Sequence, residues 1–124
     1  MINAMDLIKK KSQQSDKALS EEEIREYLTT LKGWTLDDNR LVKTFSFRDY
    51  YETMAFVNAI AYIVHAENHH PDLLTSFNRC VVMLNTHSLN QGRGGISEND
   101  FICAVKIDAM ACLLYTSDAA DEGL

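Results

Sequence analysis

The stretch Val64-His65-Ala66-Glu67-Asn68-His69-His70-Pro71-Asp72-Leu73-Leu74-Thr75-Ser76-Phe77 decides the fold, because the spacing of apolar residues changes inside it. Upstream, Tyr50, Met54, Val57, Ala61 and Val64 trace one helical stripe, and Phe56, Ile60 and Ile63 widen it. That period predicts a long helix over residues 48–68. Pro71 lacks an N–H and restricts His70 to extended geometry, so the helix stops before it. Leu73 to Phe77 and Cys80 to Thr86 then flank Asn78-Arg79 and read as a hairpin whose second strand ends at Thr86-His87.

Outward from this stretch the same grammar recurs. Trp34 to Leu36 and Leu41 to Phe47 flank the turn formers Asp37-Asp38-Asn39-Arg40, which predicts another hairpin. Leu41, Lys43, Phe45 and Phe47 share one strand face, while Val42, Thr44 and Ser46 share the other, as in a sheet covered on one side. Ser20-Glu-Glu-Glu23 has the form of a capping box before Ile24, Tyr27, Leu28 and Leu31, with Gly33 as the helix stop. After a glycine-bearing loop over residues 88–95, Ser97-x-x-Asp100 opens a last helix through Phe101, Ala104, Val105 and Ile107. The expected fold is α+β, a four-stranded antiparallel sheet with three helices packed on one face in the order α-β-β-α-β-β-α.

Residues 19–111 carry this pattern. Residues 1–18, with Lys9-Lys10-Lys11 and Ser12-Gln13-Gln14-Ser15, read as a flexible N-terminal arm. The run Cys112-Leu-Leu-Tyr-Thr-Ser-Asp-Ala-Ala-Asp-Glu122 shows no helical or strand period. It resembles the in-frame translation of a sequencing-library adapter, so residues 112–124 are read as a non-native tail.

A chain of 124 residues, 46% hydrophobic, suffices for one domain with its own core. Its net charge of −6 opposes direct nucleic-acid binding, which needs a basic face. No apolar run is long enough to span a bilayer, and the N-terminus has no apolar core followed by a cleavage site. Cys80, Cys103 and Cys112 have neither disulfide-framework nor zinc-pair spacing. A cytoplasmic location with no membrane association is expected.

All four histidines fall within one 23-residue window: His65, His69, His70 and His87. Such a cluster suggests proton transfer or metal binding. On a helix, His65 and His69 at i, i+4 face the same way. Glu67 is not in the HExxH position and no cysteine completes a ligand pattern, so no metal is expected; nor does any dinucleotide motif imply a cofactor. A helix end and a strand end meeting at a loop-rich rim make a cleft, and Asp100 in the next helix's first turn suits the helix dipole.

Together, His65-x-x-x-His69-His70-Pro71-Asp72, Phe77-Asn78, Thr86-His87 and Ser97-x-x-Asp100 resemble the pterin-4a-carbinolamine dehydratases, also described as dimerisation cofactors of a homeodomain transcription factor. The resemblance runs from about Leu19 to Ala109 and includes Gly33-Trp34, Phe45-x-Phe47 and Phe56-Val57. His65 stands where members often carry Glu, and Phe77 where Tyr or Trp is common. The loop between His87 and Asp100 is longer than in the shortest members.

The resemblance implies a hydro-lyase, 4a-hydroxytetrahydrobiopterin dehydratase, which forms quinonoid dihydropterin in tetrahydrobiopterin biosynthesis and recycling after aromatic amino-acid hydroxylation. Water must leave C4a while a proton leaves N5, and imidazoles near their pKa can serve as acid or base. The resemblance gives His69 and His87 the acid/base role and has His70 bind and orient the pterin. Asp100, His65 and Pro71 would be substrate-binding, with Asp100 orienting a histidine or holding the pterin's polar edge. It also implies a homodimer or homotetramer and an aromatic amino-acid hydroxylase as a possible partner. The alternative is a protein-interaction module that stabilises a partner's oligomer, with catalysis incidental.

Overall fold

A computed structural model describes residues 3–13 and 17–122, with side chains as far as Leu114. In chain order the elements are α1 (Ala4–Ile8), α2 (Glu21–Leu28), β1 (Thr35–Asp37), β2 (Arg40–Ser46), α3 (Tyr50–Glu67), β3 (Asp72–Thr75), β4 (Arg79–Leu84) and α4 (Glu98–Glu122). The four strands form one antiparallel sheet in the order β1-β2-β4-β3. The α+β architecture is the expected one, with α1 added ahead of it.

Register explains which sheet face is covered. Leu41, Lys43 and Phe45 of β2 lie opposite Leu84, Val82 and Cys80 of β4. Apart from Lys43 these are buried, and they share one core with Ile24 of α2, Phe56, Ile60 and Ile63 of α3, and Phe101, Ile102 and Val105 of α4. The helices thus cover one face. Phe56 is the hub, with ring centroids 4.7 Å from Phe45 and 5.1 Å from Phe47.

Local signals act as expected at several termini. Ser20 and Glu23 form a complete capping box at α2. Asp38 and Asn39 both take positive φ, 50° and 60°, which gives the two-residue turn that matches strand twist. Other boundaries differ. α2 ends at Leu28, short of Gly33, and a tight turn carries Leu31 into the core. Gly33 then takes φ +87°, where a Cβ would sit 2.9 Å from Lys43 Cε. The second hairpin turns at residues 76–78, closed by Ser76 N–H donating to Arg79 O at 2.9 Å, so Phe77 is in the turn and 63% exposed. β4 ends at Leu84, and Thr86 makes an isolated bridge to Gly95.

Three further expectations are corrected. The N-terminal arm is not free over residues 3–13: Asn3 caps α1, and Leu7 is fully buried in the core. On α3 the buried line is Thr53, Phe56, Ile60, Ile63 and Glu67, while the stripe from Tyr50 to Val64 lies beside it, half-buried or exposed. Finally, α4 runs on to Glu122 through the stretch where no period was expected, and Leu114 packs against the core.

Candidate active site

The end of α3 builds the site. Asn68 takes the left-handed conformation at φ 49°, its N–H donates to His65 O at 3.2 Å, and His69 N–H donates to Val64 O at 3.3 Å. This pair of bonds is a Schellman ending, which turns the chain sharply off the helix axis. His69 therefore leaves the helix, and the shared face expected for His65 and His69 does not form. His69 is buried at 9% exposure, whereas His65 and His70 are exposed.

His69 turns inward to Asp100. Its Nε2 lies 2.5 Å from Asp100 Oδ1. The other carboxylate oxygen accepts from Thr86 Oγ1 at 2.9 Å and from the Ser97 N–H at 2.9 Å. Thr86 and Ser97 hydroxyls are 2.7 Å apart, which closes the network. Asp100 is 0% exposed, with donors on both oxygens, so it has no free edge for a ligand. Of the two placements expected for Asp100, orienting a histidine or holding the pterin's edge, this burial and the contact with His69 Nε2 favour the first. With the Thr86 hydroxyl and the Ser97 N–H both on Oδ2, the contact fits an Nε2–H that donates to Asp100 Oδ1.

His69 opens on a cleft of about 440 Å³ lined also by Ser12, Gln13, Glu67, Asn68, Thr86, Ser88 and Asn99. His87 is exposed between two of these lining residues, Thr86 and Ser88. His70 lines a different hollow, of about 360 Å³, with His65, Pro71, Val57, Ala61, Val64 and Leu73. The four histidines thus do not line one hollow: His69 lines the first, His87 is flanked in sequence by two of its lining residues, and His65 and His70 share the second with Pro71.

Sequence reasoning missed Glu67, Ser12 and Asn99 in the first cleft. Glu67 is 8% exposed, accepts from Lys106 Nζ at 2.7 Å and from Ser12 N–H at 2.7 Å. Burial alone would raise its carboxyl pKa; the bonds from Lys106 and Ser12 outweigh burial and hold it below the ordinary value. An acid in the apolar period of a helix was the available signal for Glu67. Burial first, then the charges of Asp100 and Glu67, push the Cys103 thiol up to about 12, so no thiolate competes with the imidazole. Among the described residues no group of three or more His, Cys, Asp or Glu is placed to hold a metal ion. Among them, too, no helix is long and apolar enough to cross a membrane.

The class of protein is therefore an α+β domain with a carboxylate-anchored histidine on a polar cleft. The sequence pattern of the pterin 4 alpha carbinolamine dehydratase family matches residues 17–110, and the chain belongs to that family. A relative from Bdellovibrio bacteriovorus, provisionally named a pterin-4-alpha-carbinolamine dehydratase, is 59% identical over 111 residues, covering 90% of this chain and 92% of the relative. A similarly named relative from Nitrosomonas eutropha is 52% identical over 93 residues, covering 74% and 79%. The crystal structure of a transcriptional coactivator/pterin dehydratase from Brucella melitensis matches with TM-score 0.70 and 32% identity, covering 77% of this chain and 99% of that one.

Proposed function

We propose that this chain dehydrates 4a-hydroxytetrahydropterin to quinonoid dihydropterin, with the tetrahydrobiopterin derivative as substrate. The observation that carries the reading is the buried His69–Asp100 pair opening on a polar cleft in a member of the dehydratase family. His69 is the better defined of the two acid/base groups. Asp100 fixes its tautomer, so Nδ1 takes the N5 proton or, when protonated, donates to the departing C4a hydroxyl. His87 supplies the complementary function from the strand-end side. His70, exposed next to the buried pair, binds and orients the pterin, while His65 and Pro71 line the neighbouring hollow with it. No redox step is involved, because the ring loses water and its oxidation level is unchanged. A spectrophotometric dehydratase assay on purified protein tests the reading, with loss of turnover in His69→Ala as the expected outcome.

A second reading, an interaction module, draws on exposed apolar side chains. Leu74 is 64% and Tyr62 75% exposed, and all four residues of β3, a sheet edge, are exposed. An open edge beside apolar surface favours strand-to-strand pairing. A homodimer built through β3, with a tetramer formed through the half-exposed side of α3, uses that surface and is compatible with catalysis. An aromatic amino-acid hydroxylase remains the partner implied by the proposed chemistry.

A further inference from the structure

We propose that residues 10–13 form a specificity-determining wall of the His69 cleft, with the Ser12 hydroxyl as a substrate contact that selects pterins carrying a neutral, hydroxylated side chain. The proposal rests on the dehydratase reading of that cleft.

The segment is tied down by its backbone. Lys106 Nζ donates to Lys10 O at 2.7 Å, and the Ser12 N–H donates to Glu67 Oε1 at 2.7 Å. Asn99 holds Gln13 from both sides: its Oδ1 accepts the Gln13 N–H at 3.2 Å, and its Nδ2 donates to Gln13 O at 2.5 Å. Lys10 Nζ adds an ion pair to Glu98 at 3.1 Å. Every anchor comes from the end of α3 or from α4, the elements that position His69 and Asp100. The segment is therefore registered to the acid/base pair, although it lies more than fifty residues away in sequence.

With the main chain so bonded, the side chains of Ser12 and Gln13 are left to the cleft they line. The Ser12 hydroxyl is shielded from solvent and has no hydrogen-bond partner among the described residues. A buried hydroxyl without a partner is uncommon in folded proteins, and a ligand group in the cleft would satisfy it. The remaining lining supports an uncharged ligand. Gln13, Asn68, Ser88 and Asn99 offer neutral amides and hydroxyls, Glu67 is acidic, and among the described residues no Lys or Arg lines the cleft. Such a rim can bond a heterocycle's amide edge or an alkyl hydroxyl, and it offers no Lys or Arg among the described residues to pair with a phosphate or a glutamyl tail.

The test compares steady-state dehydration of 4a-hydroxytetrahydrobiopterin with that of its 6-methyl analogue by wild type, Ser12→Ala and Asn99→Ala. Loss of one neutral hydrogen bond should raise KM for the hydroxylated substrate about fivefold to tenfold in Ser12→Ala. The 6-methyl substrate should be affected less, and kcat for both should stay within about twofold. Asn99→Ala, which frees Gln13, should erode the same preference. A general loss of stability would shift both substrates alike, so the KM ratio isolates the wall. An unchanged ratio in both variants overturns the proposal and leaves the dehydratase reading standing. If wild type dehydrates neither substrate, the dehydratase reading fails. Hydrogen exchange at the Ser12 and Gln13 amides with 7,8-dihydrobiopterin then decides the wall: slowed exchange supports it and unchanged exchange overturns it.

Discussion

His69 is buried with its Nε2 2.5 Å from Asp100, whereas His70, the next residue, is exposed beside His65 and Pro71. One imidazole is held by a carboxylate that also accepts from the Thr86 hydroxyl and the Ser97 N–H. The other stands exposed at the second hollow. The difference arises from backbone rather than side-chain identity. The left-handed Asn68 turns the chain off the helix, and the extended geometry imposed before Pro71 sends neighbouring side chains to opposite sides. A doublet that looks redundant in sequence thus divides into a buried, anchored group and an exposed one.

The largest expected effect breaks this pair apart. His69→Ala should lower kcat by about 10²–10⁴-fold, while His70→Ala should act mainly on KM. Equal effects of the two on kcat would end the proposed division. Next is the anchor: Asp100→Asn keeps the shape but offers the network an amide where it requires an acceptor. It should lower kcat with little change in KM and cost about 1–3 kcal/mol, read as a lowered midpoint in urea.

On the other side of the doublet, Leu74→Lys on β3 should shift a dimer toward monomer in light scattering at micromolar protein while the His69 cleft is untouched. A clean monomer mass for the wild-type protein would remove that assembly altogether. Acid should loosen the His69 side selectively. Because Glu67 has its carboxyl pKa lowered on folding, its contribution is fully present above the unfolded value and is lost as pH falls through the folded one. Glu67→Gln should flatten that part of the stability profile, measured by denaturant melts across the acid range. The smallest effect is expected from deleting residues 112–124, which we propose are foreign to the domain. Loss of the half-buried Leu114 should cost about 1 kcal/mol, with turnover unchanged.

The parts legible in sequence are those that short-range chemistry specifies. Asp38-Asn39 declared a turn, Ser20 and Glu23 a helix start, Pro71 a stop, and Leu41, Lys43 and Phe45 the inner face of β2. Illegible features depended on partners far away in the chain. α1 is five residues long, too short to show a period, and only Leu7 in the core reveals it. The apolar residues of α3 fit two adjacent stripes, and the sheet, not the helix, chose the one through Phe56 and Ile60. For the site, His69 and Asp100 could be singled out as residues, but their direct contact could not, because it spans the Schellman turn and the Thr86–Ser97 hydroxyl bridge. Ser12 and Asn99 gave no signal, since their roles exist only where the N-terminal segment crosses α4.

The bridge between Thr86 and Gly95 bears on how this domain can vary. Thr86 N–H donates to Gly95 O at 2.8 Å and Gly95 N–H to Thr86 O at 3.2 Å, so the intervening residues leave and return through a closed neck. Inside that neck His87 and Ser88 belong to the site and Leu89 is buried, so it is the exposed tip that can lengthen, shorten or carry an inserted epitope without moving Thr86 on one side or Ser97 and Asp100 on the other. Loop length here is insulated from the chemistry, which makes residues 90–93 the natural place to graft a label or a tether.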